Sequence, residues 1–243
     1  MAVLLSCKHA ARSMPGGVMR TEGETHARLA AGDPSADGPV RIETIHAEES
    51  PPTFVMRGGP RGSARIVFLH GMCSHALGYA QSFQFAAASK GTLIAPQGDK
   101  PCGGPWSSWS NDVDAIDQRI VSTFRALGHA DPEDIVAIGY SQGASRAQAL
   151  AEKWPRRYTR LVLIAAPTLA SPERVRLLRG AVTMAGERDR QELMKKAAAR
   201  WSAAGIPTAY FVIPEATHGS MGPSPEKTMG QALDWLWKHQ NAN

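Results

Sequence analysis

Six short apolar runs, at residues 65–69, 92–95, 134–138, 161–165, 181–185 and 208–213, recur along the chain, most of them separated by segments of helical length. Each run is too short for a helix and lacks the alternation of a strand with one wet face. Such runs are read as strands of a parallel sheet covered on both sides. The segments between them carry the other period. From Asn111, a good N-cap residue, Val113, Ile116, Ile120, Phe124 and Leu127 follow at steps of three and four until Gly128 stops the pattern. Residues 142–154, 190–204 and 225–237 complete the helical set. Strands alternating with helices imply right-handed crossovers and a doubly wound, mostly parallel α/β sheet with helices on both faces. Ahead of this series, residues 41–47 and 53–57 alternate apolar with polar around Pro51-Pro52. They are expected to be two edge strands paired as a hairpin.

The remaining sequence narrows the function classes. Residues 10–39 are rich in Gly, Ala, Arg, Asp and Pro without a sustained period, so a flexible leader over 1–40 is expected to precede one domain over 41–243. A chain of 243 residues with 43% hydrophobic content can bury one core of this kind. No apolar run is long enough to span a bilayer, and the folded part is expected to be soluble. The net charge of +5 comes from scattered basic residues, which argues against a nucleic-acid partner. Met1-Ala-Val-Leu-Leu-Ser-Cys7 resembles the end of a bacterial lipoprotein signal without most of its leader. As written the chain is expected in the cytoplasm. With a longer leader, a lipid anchor at Cys7 would place it at the cell envelope or outside it. Cys73 and Cys102 fall on loops at the same sheet edge, where a bridge would form in an exported chain and two thiols would remain in cytosol.

In open α/β sheets, reactive groups collect at the carboxyl ends of the strands. There, Gly139-Tyr-Ser-Gln-Gly143 directly follows the run 134–138 and opens a helix. A serine on so sharp a turn adopts unfavourable torsions, and glycines two residues to either side remove Cβ atoms that would collide with neighbouring backbone. Ser141 is therefore a candidate nucleophile, with the positive end of a helix beside it. It needs a base, and the base needs an orienting acid. His218, in Ala216-Thr-His-Gly-Ser220, follows the last strand. Glu187 and Asp189, in Gly186-Glu-Arg-Asp189, follow the one before, and Asp189 is favoured. His70, Cys73 and His75 have a spacing that metals use, but no carboxylate or further cysteine accompanies them, and no metal or cofactor is expected.

From about Arg41 onward these motifs, in this order, resemble the α/β-hydrolase superfamily, in its capless carboxylesterase and dienelactone-hydrolase branches. The resemblance implies a Ser141–His218–Asp189 triad and hydrolysis of a small-molecule ester, or thioester, through an acyl-enzyme. It also implies an oxyanion hole formed by the backbone amides of Gln142 and of Met72, the latter in Leu69-His-Gly-Met-Cys73. Residues 166–180 leave no room for the helical cap that many relatives carry. Trp106 and Trp109, on the loop after residues 92–96, lie near where acyl or aromatic substrate parts would rest; their alternative role is to anchor that loop on the core. A peptidase or polymer depolymerase would use the same triad, and an idle binding protein could keep the fold.

Overall fold

A computed structural model of the chain describes residues 40–46, 50–58 and 64–239. The leader expected over 1–40 and the Cys7 anchor lie outside these residues, Val40 excepted. The first strands, β1 (Arg41–Ile45) and β2 (Thr53–Arg57), pair antiparallel with Arg41 opposite Arg57. After β3 (Ala64–Leu69) come the short helices α1 (Ala76–Ala80) and α2 (Gln84–Ala88), then β4 (Gly91–Pro96). A small separate hairpin follows, β5 (Lys100–Gly103) with β6 (Trp106–Ser108). The rest is regular alternation: α3 (Val113–Ala126), β7 (Ile135–Tyr140), α4 (Gln142–Lys153), β8 (Tyr158–Ile164), β9 (Gly180–Gly186), α5 (Glu192–Ala203), β10 (Thr208–Ile213) and α6 (Pro225–Lys238).

The eight-stranded sheet runs β1-β2-β4-β3-β7-β8-β9-β10, parallel from β4 to β10. Strand period divides its side chains between two cores. Val67 and Leu69 of β3 pack with Ile120 and Phe124 of α3, Leu150 of α4 and Trp201 of α5. Ile66 and Phe68 face the other way, with Phe83, Ala87 and, from α6, Met229, Leu233 and Leu236. The apolar runs lack alternation because both faces of their strands are covered, except at β10, an edge strand with Val212 39% exposed, where the run expected to be covered on both sides is not.

Three further expectations need correction. Of the first two strands only β1 is an edge. β2 also pairs with β4, and Thr53 to Met56 are all buried, so its apolar content reflects two covered faces. The N-cap of α3 is Asp112, whose carboxylate accepts the Ala115 amide at 3.0 Å; the neighbouring Asn111 instead binds Arg146. The segment 97–110 holds a hairpin where the sequence suggested only a loop. Between β8 and β9, residues 165–179 contain a single 3-10 turn, Pro172–Val175, and no α-helix. Among the described residues no helix is long and apolar enough to cross a membrane.

Candidate active site

Ser141 joins β7 to α4 with φ 50° and ψ −116°, a left-handed conformation that costs a non-glycine residue about 1–3 kcal/mol. Crowding on both sides explains why the turn holds. A Cβ on Gly139 would lie 2.4 Å from the Ala144 Cα, and one on Gly143 would lie 2.0 Å from the Leu69 carbonyl oxygen. The Ser141 amide donates to Ile164 of β8 at 2.8 Å, and its carbonyl accepts the Ala144 amide at 3.0 Å. Ser141 is thus fixed between two strands and the first turn of α4.

The turn following β10 brings His218 over this serine. Its Nε2 lies 3.1 Å from Ser141 Oγ, and its Nδ1 lies 3.0 Å from Asp189 Oδ2. A carboxylate can only accept, so the neutral imidazole carries its proton on Nδ1 and turns the Nε2 lone pair towards the hydroxyl. Asp189 is itself held, since its Oδ1 accepts the Arg190 amide at 2.7 Å and its side chain is 9% exposed. Glu187 points elsewhere, accepting the Glu215 amide at 2.8 Å. Of the two candidate acids, only Asp189 meets the imidazole. Gly186 permits the convergence, because a Cβ there would sit 2.4 Å from the Ala216 carbonyl oxygen of the approaching loop.

Opposite, the turn after β3 passes Ser141 so closely that a Cβ on Gly71 would lie 3.5 Å from the serine Cβ. Among the described residues no hydrogen bond occupies the amide of Met72 or of Gln142. For Gln142 this follows from its place at the first turn of α4, where amides have no intrahelical partner. Its side chain is engaged with the Trp109 backbone, accepting from the amide at 3.1 Å and donating to the carbonyl at 3.3 Å.

His70 shapes this turn from beneath. It is fully buried, Nδ1 donating to the Gly71 carbonyl at 2.7 Å and Nε2 accepting the Gly98 amide at 2.8 Å. Burial lowers its pKa to about 4, so it stays neutral near pH 7. With both ring nitrogens taken and Cys73 bridged to Cys102 in a disulfide, neither residue is free to hold a metal. That disulfide ties the β3 turn to the β5–β6 hairpin, as does a backbone bridge between Ser74 and Ser107. Buried Gln97 completes the seam: it accepts the Ala76 amide at 2.8 Å and donates to the Ser74 carbonyl at 2.9 Å and the Ser107 hydroxyl at 2.6 Å.

The two tryptophans part company. Trp109 is 2% exposed and donates its indole N–H to the His70 carbonyl at 2.8 Å, so it is a loop anchor and the substrate contact expected for it is corrected. Trp106 is 50% exposed on the hairpin, its ring edge-on to His75 at 6.3 Å. Met72, 65% exposed, is the other open apolar side chain in this region. Sequence reasoning missed Gln97, Tyr79 and Tyr140. Only Tyr140 carried a signal, as the residue before Ser141; both tyrosines hydrogen-bond Gly219, the neighbour of His218.

No protein-family model matches the sequence, and no curated protein matches it. Solved structures do match in shape. A predicted CIB-like hydrolase from Thermoplasma acidophilum aligns with a TM-score of 0.62 at 18% identity, over 82% of this chain and 99% of that one. Carboxylesterase NP, the naproxen esterase of Bacillus subtilis, aligns at 0.59 and 15% identity, over 82% and 92%. FphF, a fluorophosphonate-binding serine hydrolase of Staphylococcus aureus, aligns at 0.59 and 13%, over 82% and 99%. At such identities the likeness is one of architecture, and together with the strand order and the serine turn it establishes that this chain has the α/β-hydrolase fold.

Proposed function

We propose that this protein is a serine hydrolase acting on carboxylic esters, with Ser141 as nucleophile, His218 as general base and acid, and Asp189 as the group that orients His218. The observation that carries the reading is the pair of contacts at 3.1 Å and 3.0 Å linking Ser141, His218 and Asp189, with the serine on a left-handed turn. In the proposed reaction His218 Nε2 takes the Ser141 proton as Oγ bonds to the ester carbonyl carbon. The amides of Met72 and Gln142 receive the negative oxygen, and Asp189 stabilises the imidazolium. Collapse breaks the carbon–oxygen bond to the alcohol, which leaves with the proton from His218. Water, deprotonated in turn by His218, releases the acid and restores Ser141.

The open sheet edge supports esters that need not be enclosed, and the exposed Trp106 and Met72 support an apolar group on one side of the scissile bond. The structural neighbours include a carboxylesterase and a serine hydrolase, which supports the same chemistry. The test is a fluorophosphonate probe together with short p-nitrophenyl esters. Wild type should label at Ser141, and Ser141→Ala should lose labelling and about 10⁴-fold or more of kcat. A folded Ser141→Ala protein that still turns over the ester would remove the nucleophile assigned here.

A further inference from the structure

We propose that Tyr79 and Tyr140 are positioning residues that clamp the peptide next to His218 and so set the register between base and nucleophile; this rests on the reading of Ser141 and His218 given above. His218 sits in a tight turn, Thr217 bridged to Ser220, on a loop where Glu215, Gly219 and Gly222 all have positive φ. Backbone of that kind has little secondary structure to hold it. The Arg188 amide holds the Ala216 carbonyl at 2.9 Å and Glu187 the Glu215 amide at 2.8 Å, and beyond His218 the loop is held by a pair of phenols on the two polar groups of one residue. The Tyr140 hydroxyl accepts the Gly219 amide, and the Tyr79 hydroxyl donates to the Gly219 carbonyl at 2.7 Å. Gly219 adopts φ +106° and turns both groups towards the tyrosines. The rings follow one another in tilted contact, Tyr79 to Tyr140 at 5.1 Å and 31° and Tyr140 to His218 at 5.7 Å and 35°.

The origin of each tyrosine gives the contact its significance. Tyr140 is the last residue of β7 and the immediate neighbour of Ser141, so the loop carrying the base hangs from the backbone that carries the nucleophile. Tyr79 lies on α1, directly after the turn that presents the Met72 amide. The clamp therefore refers the base to the other two parts of the site. Tyr140 is 4% exposed, and burial raises its phenol to about 12, which keeps the hydroxyl neutral near pH 7. No proton leaves or enters either tyrosine in the proposed reaction; both act through the placement of His218.

The experiment compares Tyr79→Phe, Tyr140→Phe and the double variant with wild type and Ser141→Ala, in enzyme labelled with ¹⁵N-histidine. Each Phe variant should lower kcat by about tenfold to a hundredfold, the usual consequence of displacing a reacting group by a fraction of an ångström to one ångström. KM should stay within about twofold, and the double variant should lose less than the product of the two single losses, because both bonds hold one residue. The His218 Nδ1 proton, sharp and downfield in wild type, should broaden in both variants while the thermal midpoint stays near that of wild type. Phe variants that keep both kcat and a sharp Nδ1 proton would overturn the clamp, as would a loss of kcat that only tracks lost folded protein. If wild type shows the sharp proton and the variants lose it, yet turnover is independent of Ser141, the clamp stands and the hydrolase reading falls.

Discussion

The segment from His70 to Ala76 and the turn carrying His218 flank the same serine, and they are fastened by different means. The first is held by the Cys73–Cys102 disulfide, by the Ser74–Ser107 bridge, by two bonds to buried Gln97 and by a fully enclosed histidine. The second has no covalent tie among the described residues: Asp189 and two tyrosines bond His218 and Gly219, the Arg188 amide and Glu187 hold Ala216 and Glu215 just before them, and His218 remains 55% exposed. The proposed chemistry asks different things of the two. Amides that receive a developing negative charge gain most from immobility, because any reorganisation during the reaction weakens them. A base that exchanges protons with a serine, a leaving alcohol and then a water must adjust by small amounts at each step. A covalent seam suits the first task and a set of replaceable hydrogen bonds suits the second.

Three changes test that contrast, the largest first. Asp189→Asn should lower kcat by about 10⁴-fold with little change in KM, since the amide favours the wrong imidazole tautomer. Glu187→Gln, in the same turn, should cost no more than a few-fold. Steady-state kinetics on both decides the acid, and a larger loss from Glu187→Gln would transfer the role. Next, reducing the disulfide, whose cysteines are 29 residues apart, should destabilise the fold by about 3.5 kcal/mol on the chain-entropy account. Urea denaturation with and without reductant measures this. At low urea the reduced protein should also lose kcat, while the histidine proton on Nδ1 of His218 is unmoved; unchanged kcat would show that the seam does not serve the Met72 amide.

The smallest effect is set by pH. Because burial lowers the His70 pKa from 6.5 to about 4, the unfolded chain gains a proton below about pH 6.5 that the folded protein refuses until about pH 4. Stability is therefore complete above about pH 6.5 and falls by about 3 kcal/mol as pH drops through that window. In His70→Gln this part of the acid limb should flatten, as followed by denaturation midpoints across the range. An acid limb identical to that of wild type would place its origin in another group.

The sequence made the sheet legible where strands are covered on both faces, because continuous runs such as residues 161–165 admit few other readings. It was misread at β2, where Phe54, Val55 and Met56 form a short continuous apolar run between Thr53 and Arg57 and not the alternation of an edge. The hairpin left no trace. Lys100, Pro101, Cys102 and Gly103 are exposed and show no strand pattern, and the pairing depends on a bridge to Ser74 far back in the chain. Candidate site residues were found wherever a motif fixes backbone geometry, as the glycines around Ser141 do. What remained hidden was side-chain direction. Glu187 and Asp189 differ by two positions in one turn; composition does not separate them, and the sequence favoured Asp189, the carboxylate that meets His218, only through the resemblance of its turn. Nor does composition separate Trp106 from Trp109, one open and one enclosed. Tyr79 was beyond reach, since its bond to Gly219 spans 140 residues.

The short link between β8 and β9 has a kinetic consequence. With only a 3-10 turn there, no cap inserted between these strands has to swing aside before a molecule reaches Ser141 or after it departs. Under the proposed reading, turnover is then governed by bond making and bond breaking, not by the opening and shutting of a door. Such an enzyme should be indifferent to solvent viscosity until its chemistry approaches the rate of encounter.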